Sequence, residues 1–327
     1  MTDDYRRRDA VTGECYAPME DPGYTDIPTF MRAPRAETLE GLDIAFVGVP
    51  YDGAATERVG ARQGPREIRN ASSTLRATHH ATGIDPFALT HVADAGDVRL
   101  PRAFDIMDTI EDIAGHYTKL QAAGVVPLSA GGDHSITYPI LKGIAAERPL
   151  GMVQIDAHLD LWDVYLGSRY HHGSQFRRAI EDGLLDPARM VQIGLRGGQN
   201  TTEGWDYQRE AGIRGIYIEE FRELGVAGAV AEARRVIGDG PTYVSFDIDA
   251  IDPAFAPGTG TPEIGGLTTF EAQMLLRGLR GLDLVGADLV EVAPPLDPSG
   301  VTALTGATLL YEMLCLLAEA RATRSEG

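Results

Sequence analysis

The feature that most restricts how this chain can fold is a rhythm of short apolar runs separated by amphipathic helical segments. The runs lie at residues 43–49, 125–130, 151–155, 190–195, 215–218, 242–246 and 284–292, with a weaker one at 91–95. Such alternation implies βαβ units and a mostly parallel sheet of about eight strands. One helix is readable from Ile106, Ile110, Ile113, Tyr117 and Leu120, which share a helical face, with Gly124 at its C-terminal cap. A second opens on a capping-box pattern, Thr268 to Glu271, and is expected to turn Phe270, Met274 and Leu275 inward. No long Pro- or Ser-rich linker and no repeat interrupts the rhythm. One catalytic domain over residues 41–327 is expected, preceded by a loosely organised extension over 1–40.

Composition narrows the classes. At 327 residues and 43% hydrophobic content the chain can bury a sizeable core. No run reaches the roughly 18 uninterrupted apolar residues of a membrane span, and the polar start Met1-Thr2-Asp3-Asp4 lacks the apolar stretch of a secretory signal, so a cytoplasmic location is expected. Two cysteines, Cys15 and Cys315, are too few for a disulfide framework or a thiolate metal site, and Cys315 reads as a small buried apolar residue. A formal charge of −19 excludes a nucleic-acid footprint. It serves solubility first, and can also draw in a cationic substrate.

Carboxylates and imidazoles collect just after the predicted strands, where open parallel sheets place their binding crevice. Gly131-Gly132-Asp133-His134-Ser135 is the first such segment, and alone it fits a hydrogen-bonded loop histidine as well as a ligand. In Asp156-Ala157-His158-Leu159-Asp160, residues two apart would share a face if the stretch is extended, so Asp156, His158 and Asp160 would project together. Asp247 and Asp249 repeat the device in Asp247-Ile248-Asp249-Ala250-Ile251-Asp252-Pro253. Carboxylates so close repel unless a cation stands between them. The oxygen-rich, thiol-free set suits a hard or borderline ion such as Mn²⁺, and six ligands suit a pair of ions rather than one. Asp133, Asp252 and Asp163 are candidates to support these ligands.

In Tyr170-His171-His172-Gly173 one histidine is a candidate proton shuttle, and adjacent histidines in an extended segment cannot both face one site. Glu291 ends the last apolar run, where it could grip a guanidinium or equally form a surface ion pair. Trp162, Tyr165, Arg169 and Tyr170 crowd the loop between these segments.

These motifs, in this order and with Glu291-Val292-Ala293-Pro294-Pro295, resemble those of the ureohydrolase (arginase and agmatinase) family. The likeness runs from about Ile27-Pro28-Thr29-Phe30-Met31-Arg32 through Gly60-Ala61-Arg62-Gln63-Gly64-Pro65 and Ala256-Pro257-Gly258-Thr259-Gly260-Thr261-Pro262. It implies a three-layer α/β/α fold and two Mn²⁺ ions, with Ni²⁺ as the substitute. His134, Asp156, Asp160 and Asp247 would hold one ion, and Asp156, His158, Asp247 and Asp249 the other. It further implies His172 as shuttle, Glu291 as guanidinium ligand, Asp160 as proton relay to the leaving amine, and a homo-oligomer, trimer or hexamer. Leu159, Trp162 and Pro298-Ser299 depart from common family patterns without removing a ligand. The stretch from Arg169 to Gly173 with Phe176-Arg177 looks like the agmatinase-like branch that includes guanidinobutyrase, guanidinopropionase and proclavaminate amidinohydrolase.

The expected activity is hydrolysis of a small guanidino compound to urea and an amine. The substrate would be an ω-guanidino acid such as 4-guanidinobutanoate or 3-guanidinopropanoate, or agmatine, with Trp162 and Tyr170 lining the pocket and Arg169 either pairing a carboxylate tail or equally held in a surface ion pair. If Trp162 shortens that pocket, guanidine or methylguanidine is the alternative. Two competing readings are an inert structural subunit of a mixed oligomer and a one-metal zinc deacylase of the same fold. A metal titration separates the three.

Overall fold

A computed structural model of the chain describes residues 7–9, 11–17, 20–145 and 148–326. A small antiparallel pair, β1 (Arg7–Arg8) and β2 (Cys15–Tyr16), comes first. The body then runs β3 (Ile44–Val49), α1 (Gly64–Ser72), α2 (Pro86–Leu89), β4 (Val92–Asp97), α3 (Ile106–Ala122), β5 (Val126–Gly131), α4 (Thr137–Ile144) and β6 (Leu150–Ile155). It continues with α5 (Gln175–Glu181), β7 (Leu185–Leu195), α6 (Glu203–Ala211), β8 (Arg214–Tyr217), α7 (Ile218–Ile237), β9 (Thr242–Asp247), α8 (Thr269–Gly278), β10 (Leu284–Val290) and α9 (Val301–Glu326).

Strands β3 to β10 form one eight-stranded parallel sheet in the order β4-β3-β5-β10-β9-β6-β7-β8. Its inner strands are apolar along most of their length because helices cover both faces. Successive residues therefore feed two separate cores. Ile44, Phe46, Leu128, Val153, Ile155 and Val244 pack beneath α1, α7, α8 and α9. Ala45, Val47, Val49, Met152, Met190 and Tyr243 pack beneath α3, α4 and α5. The three-layer α/β/α arrangement expected from the sequence is the one found.

Local chemistry explains the element ends. Asp105 caps α3 by accepting from the amides of Met107 and Asp108, and Gly124, just past the helix, has φ +70°. The capping box of α8 is present, with Thr268 and Glu271 exchanging hydrogen bonds. Its inward stripe differs from the expectation: Ala272, Leu275, Leu276 and Leu279 are buried, whereas Phe270 and Met274 are exposed. The spacing 272, 275, 276, 279 is a helical face, and Phe270 and Met274, four apart, share the neighbouring one. Helix α9 is long and apolar enough to cross a membrane by composition, yet 83% of that stretch is buried in the fold, as befits a core helix. Cys315 lies on it, buried. Near the N-terminus, Phe30 and Met31 are also buried; the Phe30 amide donates to Asp94, and Arg69 stands over the Phe30 ring and pairs with Asp94.

Candidate metal centre

The site lies at the carboxyl ends of β5, β6, β9 and β10, the four central strands. Although β10 is last in sequence, it lies between β5 and β9, and this order gathers His134, the segment 156–160, Asp247, Asp249 and Glu291. The convergence does not come from alternation along an extended strand, as the sequence suggests. Strand β6 ends at Ile155, the chain bends, and Asp160 takes φ +55°. Asp247 is the last residue of β9, and Asp249 sits in the 3₁₀ turn Ile248–Ala250. Turning the backbone brings the side chains together more closely than a pleat would. Glu291 also has positive φ, +63°, and each such residue costs about 1–3 kcal/mol that the surrounding packing must offset.

Two clusters share one carboxylate. Around His134, Nδ1 is 3.2 Å from Asp156 Oδ2 and 3.0 Å from both Asp160 Oδ2 and Asp247 Oδ2. Around His158, Nδ1 is 2.9 Å from Asp249 Oδ2 and 3.6 Å from Asp156 Oδ1. Asp156 thus presents one oxygen to each imidazole. Asp247 turns Oδ2 to His134, while its Oδ1 accepts from the Asp249 amide at 2.8 Å.

The His134 side demands a cation or a proton. Asp288 is buried and accepts from Ser245 Oγ at 2.6 Å, Thr137 at 2.8 Å and Tyr243 at 3.0 Å. With its hydroxyl proton committed there, Ser245 must accept from His134 Nε2–H, 2.8 Å away. In the neutral ring Nδ1 then carries a lone pair, buried without a hydrogen-bond partner and facing three carboxylate oxygens. Lone pair against carboxylate is repulsive. Without a cation, burial opposes a charged ring but the bonds to Asp156, Asp160 and Asp247 outweigh it, holding the His134 pKa well above its ordinary value. A divalent ion in place of that proton satisfies every atom, so the residues present fit a metal.

Beside the clusters, Glu291 Oε1 accepts from the His134 amide at 2.9 Å and lies 2.8 Å from His172 Nδ1. Its Oε2 makes no hydrogen bond among the described residues, leaving one oxygen for a ligand. Burial opposes charge on His172, but Glu291 outweighs it and pushes the pKa up to about 9. His172 Nε2 lies 2.7 Å from the Thr56 hydroxyl and 3.1 Å from its amide, so Thr56 can serve either protonation state. His171 points elsewhere: Nδ1 accepts from the Gly173 amide, and burial pushes its pKa down to about 4.

A cleft of about 140 Å³ opens above this floor, walled by Trp162, Tyr165 and Leu159 and rimmed by Glu57, Gln199 and Asn200. Two sequence candidates for the pocket lie outside it. The Arg169 guanidinium is exposed and held by Glu181 and Asp163, and Tyr170 packs on Tyr138 beside His171. Their loop leaves the cleft after Tyr165, so of its four bulky side chains only Trp162 and Tyr165 reach the pocket. Asp163 pairs with Arg178. Asp133 accepts from Ala54 and Ser135, and Asp252 from Ala254, Gly265 and Gly266, so both brace the loops that follow their strands. Unforeseen from the sequence were Ser245, Asp288, Thr56, Gln199, and Gln175, which donates to Asp160. Also unforeseen were Gln154 and Gln192, although Met-Val-Gln-Ile occurs twice, at 152–155 and 190–193, each time with the glutamine as the one polar residue of an apolar run.

The arginase-family pattern matches residues 42–315. A guanidinopropionase of Pseudomonas aeruginosa is 57% identical over 93% of this chain and 95% of its own length. A guanidinobutyrase of the same organism is 48% identical over 91% and 94%. The solved proclavaminate amidinohydrolase of Streptomyces clavuligerus superposes with a TM-score of 0.88 at 42% identity, over 92% of this chain and 100% of that one. With its paired His/Asp clusters at the ends of a central parallel sheet, the chain belongs to the arginase family, as an amidinohydrolase that cleaves a guanidino group to urea and an amine.

Proposed function

We propose that the substrate is a short linear ω-guanidino acid, 3-guanidinopropanoate before 4-guanidinobutanoate, and that the resident ions are two Mn²⁺. The observation that carries the substrate is the 57% identity, across nearly both full lengths, to a guanidinopropionase. The choice of manganese rests on the donor set, two imidazoles and four carboxylates with no thiolate. In this reading His134, Asp156, Asp160 and Asp247 hold one ion and Asp156, His158, Asp247 and Asp249 the other. Bound there, divalent ions supply Lewis acidity and lower the pKa of water, so that a nucleophile exists at neutral pH.

The chain's own residues do the rest. Glu291, with Oε2 free, receives the guanidinium N–H groups in a charge-assisted pair. Asp160, beside His134, carries a proton to the departing amine, and His172 exchanges protons through the Thr56 side. Arg169 cannot meet the tail, because Asp163 and Glu181 hold it outside the cleft. Neutral donors at the rim replace it. The indole of Trp162 donates to Gln199 Oε1 at 3.3 Å, and since an indole N–H only donates, this sets the amide so that its NH₂ is left for a carboxylate.

The test is urea release from 3-guanidinopropanoate, 4-guanidinobutanoate, agmatine, arginine, guanidine and methylguanidine with Mn²⁺ and with Ni²⁺. The reading expects the highest kcat/KM for a guanidino acid with Mn²⁺. Agmatine or methylguanidine as best substrate overturns the tail assignment, and Ni²⁺ alone supporting turnover overturns the metal. The same reading includes a homo-oligomer, trimer or hexamer, checked by mass photometry.

A further inference from the structure

Glutamine is rare inside a parallel sheet, because a buried amide left unsatisfied costs roughly 1–3 kcal/mol. This chain places Gln154 on β6 and Gln192 on β7 in register as neighbours, both fully buried. Their amides join a chain that runs one way. Tyr217 OH, on β8, donates to Gln208 Oε1 at 3.0 Å, and Gln208 Nε2, on α6, donates to Gln192 Oε1 at 2.6 Å. Gln192 Nε2 donates to Gln154 Oε1 at 2.6 Å, and Gln154 Nε2 donates to Asp156 Oδ2 at 2.7 Å. The second hydrogens reach the loop that carries the ligands: Gln154 to the carbonyl of His158 at 3.1 Å and Gln192 to that of Leu159 at 2.7 Å.

We infer that Gln154, Gln192 and Gln208 are positioning residues that aim Asp156, the carboxylate shared by the two clusters, through a directed relay of amides. The direction is fixed at its end, since an ionised carboxylate only accepts. Asp156 therefore orients the Gln154 amide, which orients Gln192, which orients Gln208. Read the other way, loss of Gln192 leaves Gln154 Oε1 buried without its donor and the amide held only through its NH₂, so the donor that aims Asp156 is less firmly placed; loss of Gln208 does the same to Gln192, one step further away. Neither Gln192 nor Gln208 touches a ligand side chain. Gly215, on β8, leaves the space the relay needs, because a Cβ there would stand 2.5 Å from Gln208 Nε2.

The inference rests on the metal-centre reading, and the experiment separates the two. Apparent affinity is measured on purified full-length protein by chelator competition, with Mn²⁺ alone and Ni²⁺ alone. The melting temperature of the metal-free form is recorded alongside. A wrong choice of ion shows in the parent protein; a wrong relay shows only in the ratio of variant to parent. Gln192→Met keeps the volume and removes the link, and is expected to weaken binding by roughly 10–100-fold, the usual reach of groups that orient metal ligands. Gln154→Leu should do the same, and adding Gln192→Met to it should change affinity by less than about twofold, because the second residue acts through the first. Gly215→Ala should weaken binding in the same direction by a smaller factor. Tyr311→Phe, which loses a bond to the Ala77 carbonyl far from the site, is the control: a lowered melting temperature at parent affinity. Parent-like affinity in Gln192→Met, or independent multiplication of the two glutamine effects, overturns the relay. Should Gln192→Met fail to fold, Gly215→Ala decides, and parent-like affinity there overturns it equally.

Discussion

The two halves of the metal centre are built from the same residue types but in different surroundings. His134 is 1% exposed, its second nitrogen is held by Ser245, itself fixed by Asp288, and its ring meets that of Phe176 in a T-shaped contact with centroids 5.2 Å apart. His158 is 24% exposed, borders the cleft, and makes no bond through its second nitrogen among the described residues. One half is enclosed by protein and the other is open to whatever enters. Ligand identity sets which ion can bind, whereas the support behind each ligand sets how firmly. The His134 half is expected to hold its ion tightly, and the His158 half to exchange.

The strongest test of that contrast removes the carboxylates in turn. Asp247→Ala, which leaves three carboxylates in the whole centre and strips the enclosed half, is expected to abolish activity and reduce bound metal below one ion per chain. Asp249→Ala should lose most activity yet keep one ion, because Asp249 faces only His158; elemental analysis showing two tightly held ions in it would erase the distinction between halves. Next in size is His172→Asn, which should keep both ions and lower kcat by roughly 10²–10⁴-fold, the usual range for a proton-transfer group. His171→Asn should fall within a few-fold of the parent, since that ring faces away from the cleft; a reversed ranking would move the shuttle. Ser245→Ala releases the His134 tautomer and should weaken the tight ion alone by roughly 10–100-fold, which a two-phase chelator titration resolves.

The smallest effect is on stability without metal. Glu291 holds His172 up at about 9 against an ordinary value of 6.5. A raised pKa contributes stability that is complete below the unfolded value and is lost as pH rises through the folded one. In the metal-free protein this contribution therefore fades between about pH 6.5 and 9, and His172→Asn should flatten that part of the melting-temperature profile.

How much of this was legible in the sequence follows from what sets each feature. The eight strands were readable because burial on both faces demands apolar runs, and only their ends shifted by a few residues, as where β10 stops at Val290. That His134, Asp156, His158, Asp160, Asp247 and Asp249 would gather at one place was readable because they follow those strands, although the turn that gathers them, with Asp160 at φ +55°, was not. Arg169 misled because its partners, Asp163 six residues before and Glu181 twelve after, are chosen by the path of the loop and by α5. Ser245 and Asp288 were hidden for another reason: each looks like a single polar interruption in a strand, and only the pairing of β9 with β10 puts them in contact. The repeated Met-Val-Gln-Ile was a cue that periodicity alone does not interpret.

The position of β10 has a consequence for biosynthesis. Strands β4, β3 and β5 pair among themselves, as do β9, β6, β7 and β8, and β10 alone joins the two blocks. His134 emerges from the first block, while Asp156, His158 and Asp249 all belong to the second. A chain still on the ribosome, with residues beyond 284 not yet released, can thus bring together the His158 half of the centre but not the His134 half. On the contrast expected above, the place around His158 forms first and the one around His134 only with the final strand, so capture of the second ion would mark the moment at which the whole sheet has closed.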